Sequence, residues 1–417
     1  MINFFKKTKL TIKKDILPIL QKQTGPIWIY DADIIKNQIH KLKKFDIIRF
    51  AQKSCSNIHI LQLIKKLNVK IDAVSLGELE RALISGFKAK NDEVVFTSDI
   101  IDEDTLKKVI ELKITVNAGS LNMIKKIGQL SPGHRIWLRI NPKFGHGHNK
   151  KTNTGGENSK HGIWEPKLAI PIIKKYKLHL VGLHMHIGSG VDYKHLQTVC
   201  NAMVKQAIQL NQNIQFISAG GGLSIPYQKT DIPVDTEHYF KLWDHARNKI
   251  SQYFKNKIQL EIEPGRFLVG ESGILIARVY EIKTVGKKIF TLIEAGFNDL
   301  MRPVLYGSYH YISIIPMDNR VLNNCQYIKT IIGGPLCESG DVFTQDAKGT
   351  LIERILPKVK IGDYIVFHNT GAYGASMSSN YNSRPLIPEI LFEDGIPRVI
   401  RRKQTIYELL KLELELT

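Results

Sequence analysis

IIRFAQKSCSNIHILQLIKKLNVKIDAVS (47–75) reads as a strand, a helix-length segment and a second strand, with apolar, β-branched positions gathered in IIRFAQ (47–52) and again in KIDAVS (70–75). Two strands joined by a helix-length crossover form the unit of a parallel sheet. The same alternation continues through VVFT (94–97), ITVNA (114–118), IWLRI (136–140), LVGLHMH (180–186), FISAGG (216–221) and IQLEIE (258–263). Eight such strands predict a (β/α)8 barrel. IWIYD (27–31) precedes the first barrel helix and is expected to lie outside the closed barrel.

From about residue 271 the pattern changes. GILIARVYEI (273–282), IFTLIEAGF (289–297), YIKTIIGG (327–334) and YIVFHNTG (364–371) are apolar or alternating segments without helices between them, and FEDGIPRV (392–399) reads as a hairpin around Asp394-Gly395. The expected organisation is a barrel domain over 26–270 and an antiparallel β domain over 271–417, joined by residues 1–25. TIYELLKLELEL (405–416) has helical spacing and is expected to dock as the closing helix.

Composition excludes several classes. The chain of 417 residues is 43% hydrophobic, enough for a large core. No apolar run reaches the roughly eighteen residues that a membrane helix needs, and MINFFKKTKLTIKKD (1–15) lacks the apolar stretch and cleavage site of a secretory signal. The expectation is a soluble, unprocessed protein that uses no membrane. The 4 cysteines, Cys55, Cys200, Cys325 and Cys337, are far apart and form neither a disulfide framework nor a zinc pattern, which fits the reducing cytoplasm. The formal charge of +20 comes from lysines spread along the chain, so no nucleic-acid partner is expected. The Gly- and Asn-rich stretch from Asn141 to Lys160 is long enough to be a lid; His146 and His148 within it have no acidic or thiol companions at metal-ligand spacing, and no metal is expected.

In a (β/α)8 barrel the active site is built at the carboxyl ends of the strands. Lys53, Asp72 with Ser75, Arg139 with Asn141, His186, Gly220 to Gly222, and Glu263 with Arg266 all fall at those ends. AGGGLS (219–224) and EPGR (263–266) follow the seventh and eighth strands, where barrels commonly bind phosphate through backbone N–H groups. A lysine across the mouth from such a cradle points to a phosphorylated aldehyde cofactor held covalently.

FAQKSCSNIHIL (50–61), DAVSLGELERAL (72–83), HMHIGSG (184–190), GGGLSIPY (220–227), EPGRFLV (263–269), GPLCESGD (334–341) and GAYGASMSSNYNSRP (371–385) carry a more specific likeness. In this order, over nearly the whole chain, they resemble the signatures of the diaminopimelate decarboxylases. That family belongs to the barrel-type (fold type III) pyridoxal-phosphate enzymes, with ornithine and arginine decarboxylases and, more distantly, alanine racemase. The resemblance implies pyridoxal 5'-phosphate as cofactor, with Lys53 bonded to its aldehyde, Glu263 at its pyridine nitrogen and His186 against its face. Ser189, Gly220, Gly221, Gly222, Pro264, Gly265, Arg266 and Tyr373 would complete its site, with Asp72 and Glu78 orienting the lysine.

The substrate implied is meso-2,6-diaminopimelate, decarboxylated at its D-centre to L-lysine and CO2 as the last step of lysine biosynthesis. Arg266, Arg302, Tyr306 and Tyr373 would take its distal carboxylate and body, and Glu338 its distal amine. Cys337 would protonate Cα after CO2 loss or assist that step. In the family CESGD comes from the neighbouring subunit, so a homodimer with shared sites is implied. Ser54-Cys55 stands where many members carry Ala-Asn; both are small, and little effect on the cofactor is expected. Ornithine, arginine or carboxynorspermidine decarboxylases, racemases, and a non-catalytic binding protein, either a homologue that has lost its cofactor or a polyanion binder explaining the +20 charge, are the alternatives.

Overall fold

The structure is a computed structural model, and it describes residues 4–145, 154–186, 188, 190, 192–318 and 320–416. The chain forms two compact units, one of residues 38–224 and 233–268, the other of residues 1–37, 225–232 and 269–417. Among the described residues no helix is long and apolar enough to cross a membrane.

Strand β1 (Ile27–Asp31) lies outside the barrel, which is built from β2 (Ile47–Ala51), β3 (Lys70–Ala73), β4 (Val94–Ser98), β5 (Thr115–Ala118), β6 (Arg135–Arg139), β7 (His179–His184), β8 (Phe216–Ser218) and β9 (Gln259–Ile262). These eight pair in chain order and close into a ring, each parallel to the next, with β9 returning to β2 through Ile47 opposite Glu261. Each is largely buried, because helices cover the outside of the ring while side chains fill it. The helices start where the sequence supplies caps: the side chains of Asn57, Ser75, Asp102 and Ser120 accept from the backbone N–H groups of His59, Glu78, Thr105 and Met123. At the closing seam Arg49 on β2 grips Glu261 on β9 through two hydrogen bonds of 2.7 and 2.9 Å, and its Nη1 donates to the carbonyls of Ile71 and Asp92. Such a pair is tolerated in the interior because its remaining polar atoms are satisfied, and removing one partner would cost about 3–5 kcal/mol.

The second unit carries β1 and β10 (Gly273–Val285), β11 (Lys288–Ile293), β12 (Ile312–Ile315), β13 (Tyr327–Gly333), β14 (Arg354–Pro357), β15 (Tyr364–Phe367), β16 (Glu389–Glu393) and β17 (Ile396–Arg401). These strands form one sheet of nine. The sheet is mixed rather than antiparallel throughout: β1 runs parallel to β16, and β11 parallel to β13. Both parallel partners are far apart in sequence, so no hairpin dictates their direction. The Asp394-Gly395 turn does join β16 to β17 as a hairpin, with positive φ of 52° and 78° at its two residues, as a type I′ turn requires. Phe4, Ile16, Leu20, Ile27, Ile29, Ile274, Ile276, Val366 and Phe392 share one apolar cluster, which ties the N-terminal segment to this unit.

The closing helix, Ile406–Leu414, starts on a capping box between Thr405 and Glu408, yet it buries no residue. Leu412 is 80% exposed, and Ile406, Tyr407, Leu410 and Leu414 are exposed beside it, so within this chain the helix is not docked as its spacing leads one to expect. Its apolar residues recur on most sides, so no single stripe is offered to a core.

Candidate active site

Immediately after β2 the chain makes a short 3-10 turn, Gln52–Ser54, that presents Lys53 to solvent while burying its two neighbours. The turn is pinned on both sides. Gln52 Nε2 donates to the Glu78 carbonyl at 2.9 Å and Ser54 Oγ to the Ala51 carbonyl at 2.9 Å, while the Ala51 N–H donates to the Pro264 carbonyl at 3.2 Å. Gly265 lets the EPGR turn lie against it, since a Cβ there would come within 3.1 Å of Ser54 Oγ. Small residues at 54 and 55 follow from this packing, and both are buried.

Glu263, one residue past β9, is 6% exposed and accepts two hydrogen bonds, from His184 Nε2 to Oε2 at 2.7 Å and from Ser218 Oγ to Oε1 at 3.1 Å. Burial alone would raise its pKa; the His184 ring, Arg49 and Ser218 outweigh that and hold the carboxyl well below the usual carboxylate range. Asp72, at the end of β3, goes the other way. Burial and the nearby Glu263 charge raise it, only partly offset by Lys53 and Thr97, and its Oδ1 has no partner among the described residues. Two carboxyls pushed apart in this manner mark a site where one stays charged and the other keeps its proton. Glu78 is also raised, by burial, and accepts from the Val74 N–H; with Ser75 it forms the cap of the following helix.

His186 stands two residues beyond β7, half-buried, and burial, with Lys53 and Arg139 nearby, pushes its ring far below the ordinary histidine value, so it is neutral. The glycines pack around it. A Cβ at Gly220 would meet the Met185 carbonyl at 2.5 Å, one at Gly221 the Glu263 carbonyl at 2.7 Å, and one at Gly222 the Gly188 carbonyl. Gly220 and Gly222 also have φ of +61° and +104°, values that favour glycine. A small cleft there is lined by Gly188, Gly190, Asp192, Gly221 and Gly222. Arg266 opens the short helix Arg266–Val269. Arg139 is buried at the end of β6. Asn141, in contrast, spends its side chain on the following loop: its Nδ2 donates to the carbonyls of Gly156 and His161, and its Oδ1 accepts from the N–H groups of Lys143 and Gly156. It is a loop clamp with no group left for a ligand. Ser189, His146 and His148 lie outside the described residues.

In the other unit Arg302 is buried, donates to His310 Nε2 at 2.9 Å and lies 4.8 Å from the Tyr227 ring centroid. His310 Nδ1 donates to the His368 carbonyl, which fixes Nε2 as the acceptor. Tyr306 is half-buried on the same helical turn, Arg302–Tyr306. Cys337 and Glu338 sit exposed on a turn shaped by Asp341, whose carboxylate accepts from the N–H groups of Phe297 and Leu336 at 2.7 and 2.8 Å. Tyr373 has a φ of 56°, an unusual conformation for a bulky residue.

Residues 32–270 match the family model described as pyridoxal-dependent decarboxylase, pyridoxal binding domain. The diaminopimelate decarboxylase of Buchnera aphidicola subsp. Schizaphis graminum is 62% identical over 99% of this chain and 100% of its own length. The chain belongs to the diaminopimelate decarboxylase family. A crystal structure of a diaminopimelate decarboxylase superposes with a TM-score of 0.91 at 60% identity, covering 93% of both chains. The Helicobacter pylori diaminopimelate decarboxylase complexed with L-lysine superposes with a TM-score of 0.82 at 31% identity, covering 96% of this chain and 99% of that one.

Membership of the diaminopimelate decarboxylase family makes the protein a pyridoxal-phosphate-dependent carboxy-lyase, and its residues fit that cofactor. The cleft lined by Gly188, Gly190, Gly221 and Gly222 offers backbone rather than side chains, and an ionised Glu263 would suit a protonated ring nitrogen. Neither His184, which reads as an ordinary strand-terminal histidine, nor His310 and Tyr227, which meet Arg302 only in the fold, stands out in the sequence. The period-two spacing of His184 and His186 was the available signal, since it places both on one face of β7 and its extension.

Proposed function

We infer that the protein decarboxylates meso-2,6-diaminopimelate at its D-centre to give L-lysine and CO2, closing lysine biosynthesis in the cytoplasm. The observation that carries this reading is near-full-length likeness to diaminopimelate decarboxylases. The L-lysine held by the Helicobacter pylori relative is the product of that reaction.

When bound, the cofactor supplies an electron sink for the pair released as CO2 departs. The chain's own groups do the rest. Lys53, on its pinned turn, holds the cofactor covalently, with Asp72 and Glu78 setting its surroundings. Glu263 accepts from the pyridine nitrogen, and His186 covers a ring face without adding charge. Ser189, the backbone of Gly220 to Gly222 and the Pro264-Gly265-Arg266 turn hold the phosphate. Cys337 Sγ delivers a proton to Cα, Glu338 pairs with the distal ammonium, Arg302, Tyr306 and Arg266 take the distal carboxylate, and Tyr373 touches phosphate and substrate.

Cys337 and Glu338 are exposed in the single chain, a poor setting for a proton donor that must work away from water. This supports a homodimer in which each copy lends that turn to its partner's barrel. Mixing inactive Lys53→Ala and inactive Cys337→Ala chains under exchange should then restore roughly a quarter of the parental activity, the statistical share of intact sites. Absence of recovery after demonstrated exchange would place each site within one chain.

Arg302 tests the substrate. Removing one partner of a desolvated charge pair costs about 2–5 kcal/mol. Arg302→Ala should lower kcat/KM for meso-diaminopimelate by a factor of roughly 30 or more while the cofactor absorbance is kept. Discrimination against lysine, which lacks the distal carboxylate, should shrink in parallel. Unchanged kcat/KM would remove Arg302 from the substrate site and favour an ornithine-like reading.

A further inference from the structure

The carboxylate of Glu263 is held from the two neighbouring strands at once. His184 ends β7, Ser218 ends β8, and Glu263 follows β9, with its own N–H donating to the Gly220 carbonyl at 2.9 Å. Ser218 Oγ accepts from the Gly220 N–H at 3.1 Å, so its hydroxyl proton is directed at Glu263 Oε1. His184 is 1% exposed, its Nε2 meets Oε2 at 2.7 Å, and its Nδ1 has no partner among the described residues. A buried ring nitrogen left unpaired costs stability, and a histidine kept under that cost is retained for what its other nitrogen does. Among the described residues, the other titratable and charged groups beside this pair include Arg49 on β2, Asp72 on β3, with Lys53 close to it, and His186 beyond β7.

We propose that His184 is the positioning residue of the cofactor's ring-nitrogen site: its Nε2–H fixes Glu263 in one orientation, as an acceptor on both oxygens, before the cofactor arrives. This rests on the assignment of Glu263 to the pyridine nitrogen. Without the His184 donor, Oε2 loses the bond that locks the carboxyl, and burial then favours the protonated carboxylic acid, which donates where the site needs an acceptor. The ring nitrogen would lose its proton in consequence. The effect reaches the chemistry only through Glu263, so substrate binding is spared.

The test uses holoenzyme loaded with pyridoxal phosphate labelled with 15N in the ring, whose chemical shift reports protonation of that nitrogen. In the parent the signal should be that of a pyridinium. In His184→Leu it should move towards the neutral value at pH 7, and kcat should fall on the order of tenfold, as when a group orienting a ligand is removed, with KM held within about twofold. His184→Gln, whose amide can place an N–H near the position of Nε2, should recover most of both. His184→Asn, polar but too short to reach Oε2, checks the same loss should the leucine variant fail to fold. A parental 15N shift in the leucine and asparagine variants, with Glu263→Gln shifted, overturns the proposal and leaves the role of Glu263 standing. A parental shift in Glu263→Gln as well overturns both.

Discussion

Lys53→Ala should lose the covalent cofactor altogether. In the parent, borohydride reduction followed by denaturation should leave the cofactor attached to Lys53, whereas the variant should release it. Turnover should fall on the order of a thousandfold or more, because the reaction depends on a lysine amine at that point and water offers no replacement held in position. The fold should be unaffected: the Lys53 side chain is exposed, and the turn that carries it is pinned by Gln52, Ser54 and the Pro264 carbonyl rather than by the lysine. A surface truncation of this kind changes stability by less than about 0.5 kcal/mol. Peptide mapping gives the deciding readout. Cofactor trapped on another lysine, with turnover retained, would show that Lys53 is not the anchor.

Glu263→Gln should lower kcat by about a hundredfold or more, the scale on which a preorganised electrostatic partner acts. The amide differs from the carboxylate in two ways. It is neutral, so it no longer favours a protonated ring nitrogen. It also has a single acceptor oxygen, whereas His184 Nε2 and Ser218 Oγ both donate to this position, so one of them must turn acceptor towards the amide NH2 and its displaced proton, on His184 Nδ1 or the Ser218 hydroxyl, is left without an acceptor. Leaving one buried donor unsatisfied costs about 1–3 kcal/mol, which should appear as a lower midpoint of thermal unfolding in the folded variant. Near-parental kcat would mean that another group protonates the ring.

The barrel is legible in the sequence because each of its strands is a short, buried, β-branched run bounded by a capped helix. The strand ends matter most, since they place Lys53, Asp72, His186, Gly220 to Gly222 and Glu263 in one unit. What local pattern cannot reach is pairing between distant segments. The parallel partnership of β1 with β16 and of β11 with β13 is decided by packing, so a run of strands without helices reads as antiparallel. The helix Ile406–Leu414 shows the converse: its capping and spacing are right for a helix, but nothing in its own residues says whether the chain has a surface for it. Asn141 looks like a rim residue because it follows β6 by two positions, and only its bonds to Lys143, Gly156 and His161 reveal that its four hydrogen-bonding positions are taken. His184 is missed for a similar reason. Its partner, Glu263, is 79 residues away, and the two meet only because the ring of strands brings β7 and β9 to either side of β8.

The most direct test of the account is a product assay on the purified protein reconstituted with pyridoxal phosphate. Given meso-diaminopimelate, it should release L-lysine and CO2 in equal amounts, and it should leave LL-diaminopimelate, which has no D-centre, unconverted. Ornithine and arginine should yield little or no diamine under the same conditions. Preferential release of putrescine or agmatine, or no CO2 from meso-diaminopimelate by a protein that demonstrably carries its cofactor on Lys53, would contradict it.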